Sequence, residues 1–391
     1  VRTILATNFL ASFGIFMALP FFTIYLVRET ALSLTDAAII FGTTVWLQHG
    51  GALIGGVAAD RFGLRVVMNT GLLLRIPAYV LLALADGFWP LLAGGALLGS
   101  GSALYLPAAK TALINLSDDR SRAAILSARN ICNNAGVALG PLAGSLVFAL
   151  SPNMLFLAIA GLFLALAMMN LRLEIPVRSG ANEFRFSQVL RLVKQPTVVV
   201  LCVNMMFFFA FYIQLEVLVP VGAFELFGGM GASAVFVINA LVVVLAQPPM
   251  VSWIRQSPRI RIFTGGFAII GMAYALLSLA GTIPVLLFAA VAVLSLAEVL
   301  LTLRLDLETS ALSRRYTGTC FGLLGLSAGI GAFAGSSLGA VAQERYQASG
   351  NSFAVWQMFA VAAIAIVAAS AVLWLVVKTR PMHNDEAEYG Q

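Results

Sequence analysis

The chain is divided into blocks of roughly twenty to thirty mostly apolar residues, and nearly every charge stands in the short gaps between them. Lipid offers the backbone no hydrogen bonds, so a block of this kind crosses a membrane as a helix that satisfies its own N–H and C=O groups. A hydrocarbon core about 30 Å thick takes about 20 helical residues to cross. Twelve blocks qualify: 5–26, 36–59, 67–86, 88–109, 122–150 and 152–172, then 198–226, 232–252, 262–280, 284–305, 317–342 and 353–377. Composition agrees. Only 10% of residues are charged, 60% are hydrophobic and the mean hydropathy is +0.96, whereas soluble domains carry about 25% charge. The fold class expected is an all-α polytopic membrane protein.

The gaps also orient the chain. Of the 23 Lys and Arg, all but four fall at one face, the basic face, which also carries both chain ends. The other face holds only Arg28 and Arg345, and Arg75 and Arg129 lie inside spans. Cytoplasmic loops are enriched in Lys and Arg, so both termini are expected in the cytoplasm, and only an even number of spans produces this split. The net charge of +6 therefore marks a membrane surface, and no nucleic-acid partner is expected. Cys132, Cys202 and Cys320 are scattered in apolar blocks, and His49 and His383 make no metal cluster; no cofactor or metal is expected. The first apolar block reads as a span, not a cleavable leader.

The longest internal polar stretch, 173–196, contains Pro176, Ser179, Gly180, Asn182 and several basic residues. It divides the chain into a six-span half over 1–172, a cytoplasmic linker, a second half over 197–378 and a tail over 379–391. The halves carry a weak repeat. Gly136, Gly140 and Gly144 in span 5 match Gly331, Gly335 and Gly339 in span 11 at a constant offset of 195, and Arg120 matches Arg315 at the same offset. Pro20 and Pro220 correspond at an offset of 200. Parallel repeats of this kind occur in transporters, although small residues at every fourth position also recur simply because they let helices approach.

Between spans 2 and 3 the chain reads GGVAADRFGLR. Its pattern, Gly56, Asp60, Arg61, Gly63 and Arg65, resembles the signature loop of the major facilitator superfamily, and with twelve spans and a central linker the resemblance covers the whole chain. Span 5 reads GVALGPLAG, Gly136 to Gly144. With Gly140 and Pro141 it is similar to the motif of the twelve-helix drug:proton antiporters. The counterpart in span 11 is Ser336, not Pro, and span 4 has no Arg where that group has one; Arg75 and Arg129 are the basic residues that remain to stand in. The resemblance implies alternating access with a cytoplasmic gate at the 2–3 loop. Gly56 and Gly63 would permit a tight turn and close contact. Asp60 would sit on the N-terminus of span 11 near Thr317 and Gly318. Arg61 and Arg65 would pair with Asp306, Glu308 or lipid phosphate. A plain basic loop explains the arginines without the aspartate and glycines.

A charge at mid-bilayer costs ~2.5–3.5 kcal/mol on insertion scales, so each asks for a reason. Glu298 in span 10 is the first candidate proton carrier, at a place where the antiporter relatives often carry a Glu. Glu216 in span 7 is a second proton site or an attractor of cations. Arg129 is a partner for Glu298 or for an anionic substrate group. Gln48, Asn130, Asn133, Asn134, Phe208, Tyr212 and Gln214 are candidate pocket residues, since amides inside apolar helices need partners or cavity water and aromatic surfaces accept varied ligands. Helix packing is the plain alternative for each of these residues. The function expected is proton-coupled export of amphipathic small molecules, drugs or a secreted metabolite such as a siderophore, by a monomer whose partners are substrate, protons and membrane lipids. Proton-coupled nutrient uptake and movement of a lipid-linked substrate are the alternatives. The GxSxG match at Gly335–Gly339 needs a strand-to-helix turn to expose its serine but falls in an apolar span, so no enzyme is expected.

Overall fold

The computed structural model describes residues 2–115, 122–171, 195–312, 317–348 and 353–378. The linker is outside the described residues except for its last two positions, and the tail is outside them. The first half contains α1 (Arg2–Arg28), α2 (Leu34–Gly50), α3 (Ala52–Phe62), α4 (Leu64–Leu84), α5 (Phe88–Asn115), α6 (Arg122–Leu150) and α7 (Pro152–Leu171). The second half contains α8 (Pro196–Tyr212), a 3-10 turn (Ile213–Leu215), α9 (Leu218–Gln256), α10 (Arg259–Ser278), α11 (Leu286–Leu312), α12 (Thr317–Ala348) and α13 (Ala354–Lys378). No strand occurs among the described residues.

Twelve crossings account for these helices. Ten runs are long and apolar enough to span, and α2 with α3, bent by 42°, make an eleventh. One of the ten, Pro196–Gln256, has 61 residues, about 90 Å of helix at 1.5 Å per residue against a core of about 30 Å. It turns at Gly228, whose φ is 67° and ψ −163°. Before the turn the chain rises with α12: Met206 lies against Gly331, Ala210 against Gly335 and Gln214 against Gly339. After it the chain rises with α11, where Asn239 meets Ser295 and Glu298 and Ile254 meets Arg304. α11 and α12 run in opposite directions because only four residues separate them. The sequence blocks differ from the helices mainly at their ends. α5, α11 and α12 run several residues beyond 109, 305 and 342.

The repeat is a repeat of packing. α1 lies against α6 as α8 lies against α12; α4 lies against α5 and α7 as α10 lies against α11 and α13. The glycine ladders make the first of these contacts. A Cβ on Gly136, Gly140 or Gly144 would come within 2.2–2.7 Å of α1, and one on Gly331 or Gly335 within 2.0–2.2 Å of the α8 backbone. At Gly339 the neighbour is the Gln214 amide, at 2.7 Å. Helices in lipid gain little from hydrophobic exclusion, so close backbone approach supplies much of the association. Pro20 and Pro220 do not share an effect: α1 runs through Pro20 unbroken, whereas the chain leaves α-geometry just before Pro220.

The halves meet along two seams. α2 and α3 pack antiparallel against α12, through Gly42 on Ser336, Gly329 on Trp46 and Gly325 on His49 along α2, and Gly322 on Leu53 of α3. α6 and α9 meet toward the face away from the chain ends, where Phe148 and Phe224 stack edge to face, Ser145 reaches Met230 and Ser233 bonds the Pro141 carbonyl. Nearer the basic face the same two surfaces are exposed. Asn134, seven residues before Pro141, and Gln247, fourteen after Ser233, share those faces by helical phase and are both open. The structure is therefore shut at the far face and parted at the basic face along this seam.

Candidate functional site

The site grows from a break in one helix. α8 ends at Tyr212, a 3-10 turn follows, and Glu216 and Val217 both hydrogen-bond back to the Ile213 carbonyl. Pro220 explains the disruption. It has no N–H for the Glu216 carbonyl four residues earlier, and its ring crowds that carbonyl. A short 3-10 stretch inside a span commonly marks a functional hinge.

Glu298 lies opposite this break. Twelve residues into α11, it is about 18 Å from the helix start at 1.5 Å per residue, near mid-membrane. Its Oε2 accepts from Asn239 Nδ2 at 2.6 Å, and the same amide reaches Ser295 Oγ at 3.0 Å. The Tyr212 hydroxyl lies beside Glu298, and Glu216 lies within electrostatic reach of both Glu298 and Tyr212. Two carboxyls, a phenol and an amide from α8, the turn after it, α9 and α11 thus form one cluster. Such a cluster is suited to hold a proton, because neutralising one carboxyl relieves the repulsion felt by the other.

Other expected residues are placed differently. Arg129 does not join Glu298: it lies near Tyr105 of its own half, and its Nε has no partner among the described residues. Gln214 is fully buried, with its amide nitrogen donating to the Gly335 carbonyl at 2.8 Å; it binds helix to helix and does not line open space. Phe208 is likewise buried, stacked on Tyr212 and packed against Phe209, and supports the cluster from behind. Asn133 is engaged by Ser12 of α1 at 3.1 Å, while Asn134 faces the opening. Gln48 is half-buried in α2, and its neighbour His49 reaches across the halves to the Phe209 ring. The side chain of Asn130 lies outside the described residues.

In the 2–3 loop, Gly63 has φ 87° and closes α3 before α4 begins, a conformation that a side chain would strain. Close contact in this region belongs to Gly55, whose added Cβ would meet the Ala103 carbonyl at 2.1 Å, and not to Gly56, which has open space around it. Arg65 donates to the Leu171 carbonyl of its own half, and Arg61 is exposed beside the Phe62 ring. Glu308 is held by Arg259 and Arg304 of its own half, at 2.8 and 2.7 Å, so it is not their partner. Arg304 stays at the basic face, where the sequence placed it, but it is buried there and fastens the α9–α10 connection through the Ile254 and Ser257 carbonyls. The Asp60 side chain lies outside the described residues. Arg75 is 1% exposed, bonded to Ser102 Oγ at 2.7 Å and set against the rings of Phe163 and Tyr105. Ser337 of the GxSxG match lies within α12, with no turn to present it.

Asn239, Ser295 and Glu344 escaped the sequence reading. Asn239 was open to the rule applied to the other amides, because it is a lone amide in VFVINALVVV. Ser295 precedes Glu298 by three positions and so shares its face.

Two six-helix halves with the same internal packing thus meet around a half-buried polar cluster, shut at the far face and parted at the basic face along the α6–α9 seam. The profile of the Major Facilitator Superfamily matches residues 4–336, and the chain belongs to that family of membrane transporters. Multidrug resistance protein MdtH of Proteus mirabilis is 26% identical over 268 residues, covering 68% of this chain and 67% of that one. MdtH of Edwardsiella ictaluri is 26% identical over 267 residues, covering 66% and 64%. An MFS-type transporter of Mycobacterium tuberculosis is 26% identical over 259 residues, and the match spans 64% of this chain and 61% of that relative's length. Among solved structures, a peptide transporter POT in complex with sulfate has a TM-score of 0.80 at 17% identity, with 96% and 94% of the chains covered. A POT family transporter in complex with 5-aminolevulinic acid has a TM-score of 0.78 at 15% identity, covering 97% and 96%. At that identity the likeness is one of fold.

Proposed function

We propose that the chain is a proton-coupled exporter of amphipathic small molecules, with its basic face and both termini in the cytoplasm. The observation that carries this reading is the cluster of Glu298, Glu216, Tyr212 and Asn239 at a helix break near mid-membrane. Repulsion between its carboxyls gives proton uptake and release a direct effect on the geometry of α8. The opening at the basic face would admit substrate from the cytoplasm, and the MdtH relatives support drugs as the substrate class. The proposed carrier works as a monomer, since two six-helix halves can make a complete path. Protons are its driving ions, and the linker over 173–196 joins the halves on the cytoplasmic side.

The test is reconstitution in liposomes with a pH dye inside, an imposed proton gradient and a panel of cationic dyes, drugs and siderophores. Wild type is expected to move protons when substrate is added, and Glu298→Gln to lose that coupling while still binding substrate. Proton and substrate movement in the same direction would replace export with uptake. A folded Glu298→Gln that couples normally would remove Glu298 from the mechanism.

A further inference from the structure

The first turn of α2 is capped from the other half of the molecule. Ser33 is its N-cap and accepts from the Asp36 N–H at 3.0 Å. The neighbouring Thr35 N–H instead donates to Glu344 Oε1 at 2.9 Å, and the Thr35 hydroxyl donates to Glu344 Oε2 at 2.7 Å. Glu344 belongs to the last turns of α12, 309 positions away in sequence. The opening N–H groups of a helix have no internal partners, and a carboxylate there is favoured by the helix dipole. Such a carboxylate often comes from the same helix. Here it comes across the seam between the halves, so both bonds exist only while that seam is closed at the face opposite the chain ends.

We propose that Glu344 is the latch of that far gate: its bidentate hold on Thr35 favours the state open to the basic face, and its release accompanies opening to the far side. The geometry follows from antiparallel packing. Because α2 and α12 run in opposite directions along a continuous contact from Gly42 to His49, the first turn of α2 must meet the last turns of α12. Thr35 and Glu344 are both half-buried, so parting the seam hands their polar groups to water. This suits a contact that must break in every cycle, since charge-assisted bonds are strong but water compensates their loss at a surface. The remaining contacts at this end of the seams include Arg28 over the Phe224 ring and Ser145 against Met230. Neither joins a carboxylate to a helix end. The inference rests on the carrier class alone and holds whatever ion drives transport.

The test uses the full chain with Cys132, Cys202 and Cys320 replaced by serine and a single reporter cysteine. Ser145→Cys reports the closed end of the α6–α9 seam, and Asn134→Cys reports its open end. Maleimide labelling rates are compared with and without Glu344→Ala. The expected result is reciprocal: several-fold faster labelling at Ser145→Cys and slower labelling at Asn134→Cys. Thr35→Val, which removes one of the two bonds, and Glu344→Gln are expected to give smaller changes of the same sign. They carry the test if Glu344→Ala does not fold. Faster labelling at both reporters would mean general loosening and would overturn the latch. No change at either would reduce Glu344 to a static cap and overturn it equally.

Discussion

Glu298 has a short bond to Asn239 and the Tyr212 hydroxyl beside it, and the two neighbours have separable roles. Asn239→Leu removes a buried donor shared by Glu298 and Ser295. It is expected to destabilise the protein by about 1–3 kcal/mol, the usual consequence of leaving a buried polar group unsatisfied, as a lower unfolding midpoint in detergent. Tyr212→Phe keeps the ring stacked on Phe208 and removes only the hydroxyl. Its expected signature is impaired proton coupling with a nearly unchanged midpoint; a large stability loss without a coupling defect would make Tyr212 a packing residue. At this scale the sequence was legible where chemistry alone marks a residue. A carboxylate in LSLAEVLL stands out wherever it folds. The partners of Arg129, Arg304 and Glu308 were not legible, because pairing depends on which helices become neighbours. Glu344 was missed for a different reason: an acid near a helix end looks solvated until the helix across the seam is in place.

Helices explain why two similar glycine ladders were readable but ambiguous. Spacing alone cannot separate a packing ladder from chance, and only contact on both α1 and α8 makes the match between halves structural. Gly335 has the Ala210 carbonyl 2.2 Å from where a Cβ would sit, whereas Gly161 on α7 has nothing within 4 Å. Gly335→Ala must push α12 from α8 and is expected to cost about 1–3 kcal/mol, as other overpacked contacts do. Gly161→Ala should be neutral or stabilising by up to about 1 kcal/mol through helix propensity. Unfolding midpoints measured side by side decide the matter, and equal shifts would mean that the ladder yields without loss. The same scale shows where apolar periodicity fails. It gave span 7 as one continuous helix, because Ile213, Leu215 and Val217 are as apolar as their neighbours; the break comes from Pro220 and the backbone.

For the whole molecule, twelve spans, two halves and the basic face followed from block length and charge placement, since lipid penalises every alternative arrangement of so apolar a chain. Which seam is open did not follow, because the same sequence must satisfy both states of a carrier of the proposed kind. That requirement makes a cross-seam link decisive. Ser145 on α6 and Met230 on α9 touch at 3.5 Å across the closed end of one seam. In a background without Cys132, Cys202 and Cys320, S145C/M230C places two thiols at that contact. Oxidation is expected to abolish transport and reduction to restore it, while substrate binding from the basic face persists. A locked carrier that still transports would mean that this seam need not open, and the path would have to lie elsewhere. If instead transport stops and binding from the basic face survives, the far end of the α6–α9 seam is one side of a gate, and the half-buried cluster beside the α8 break has its required access from the other.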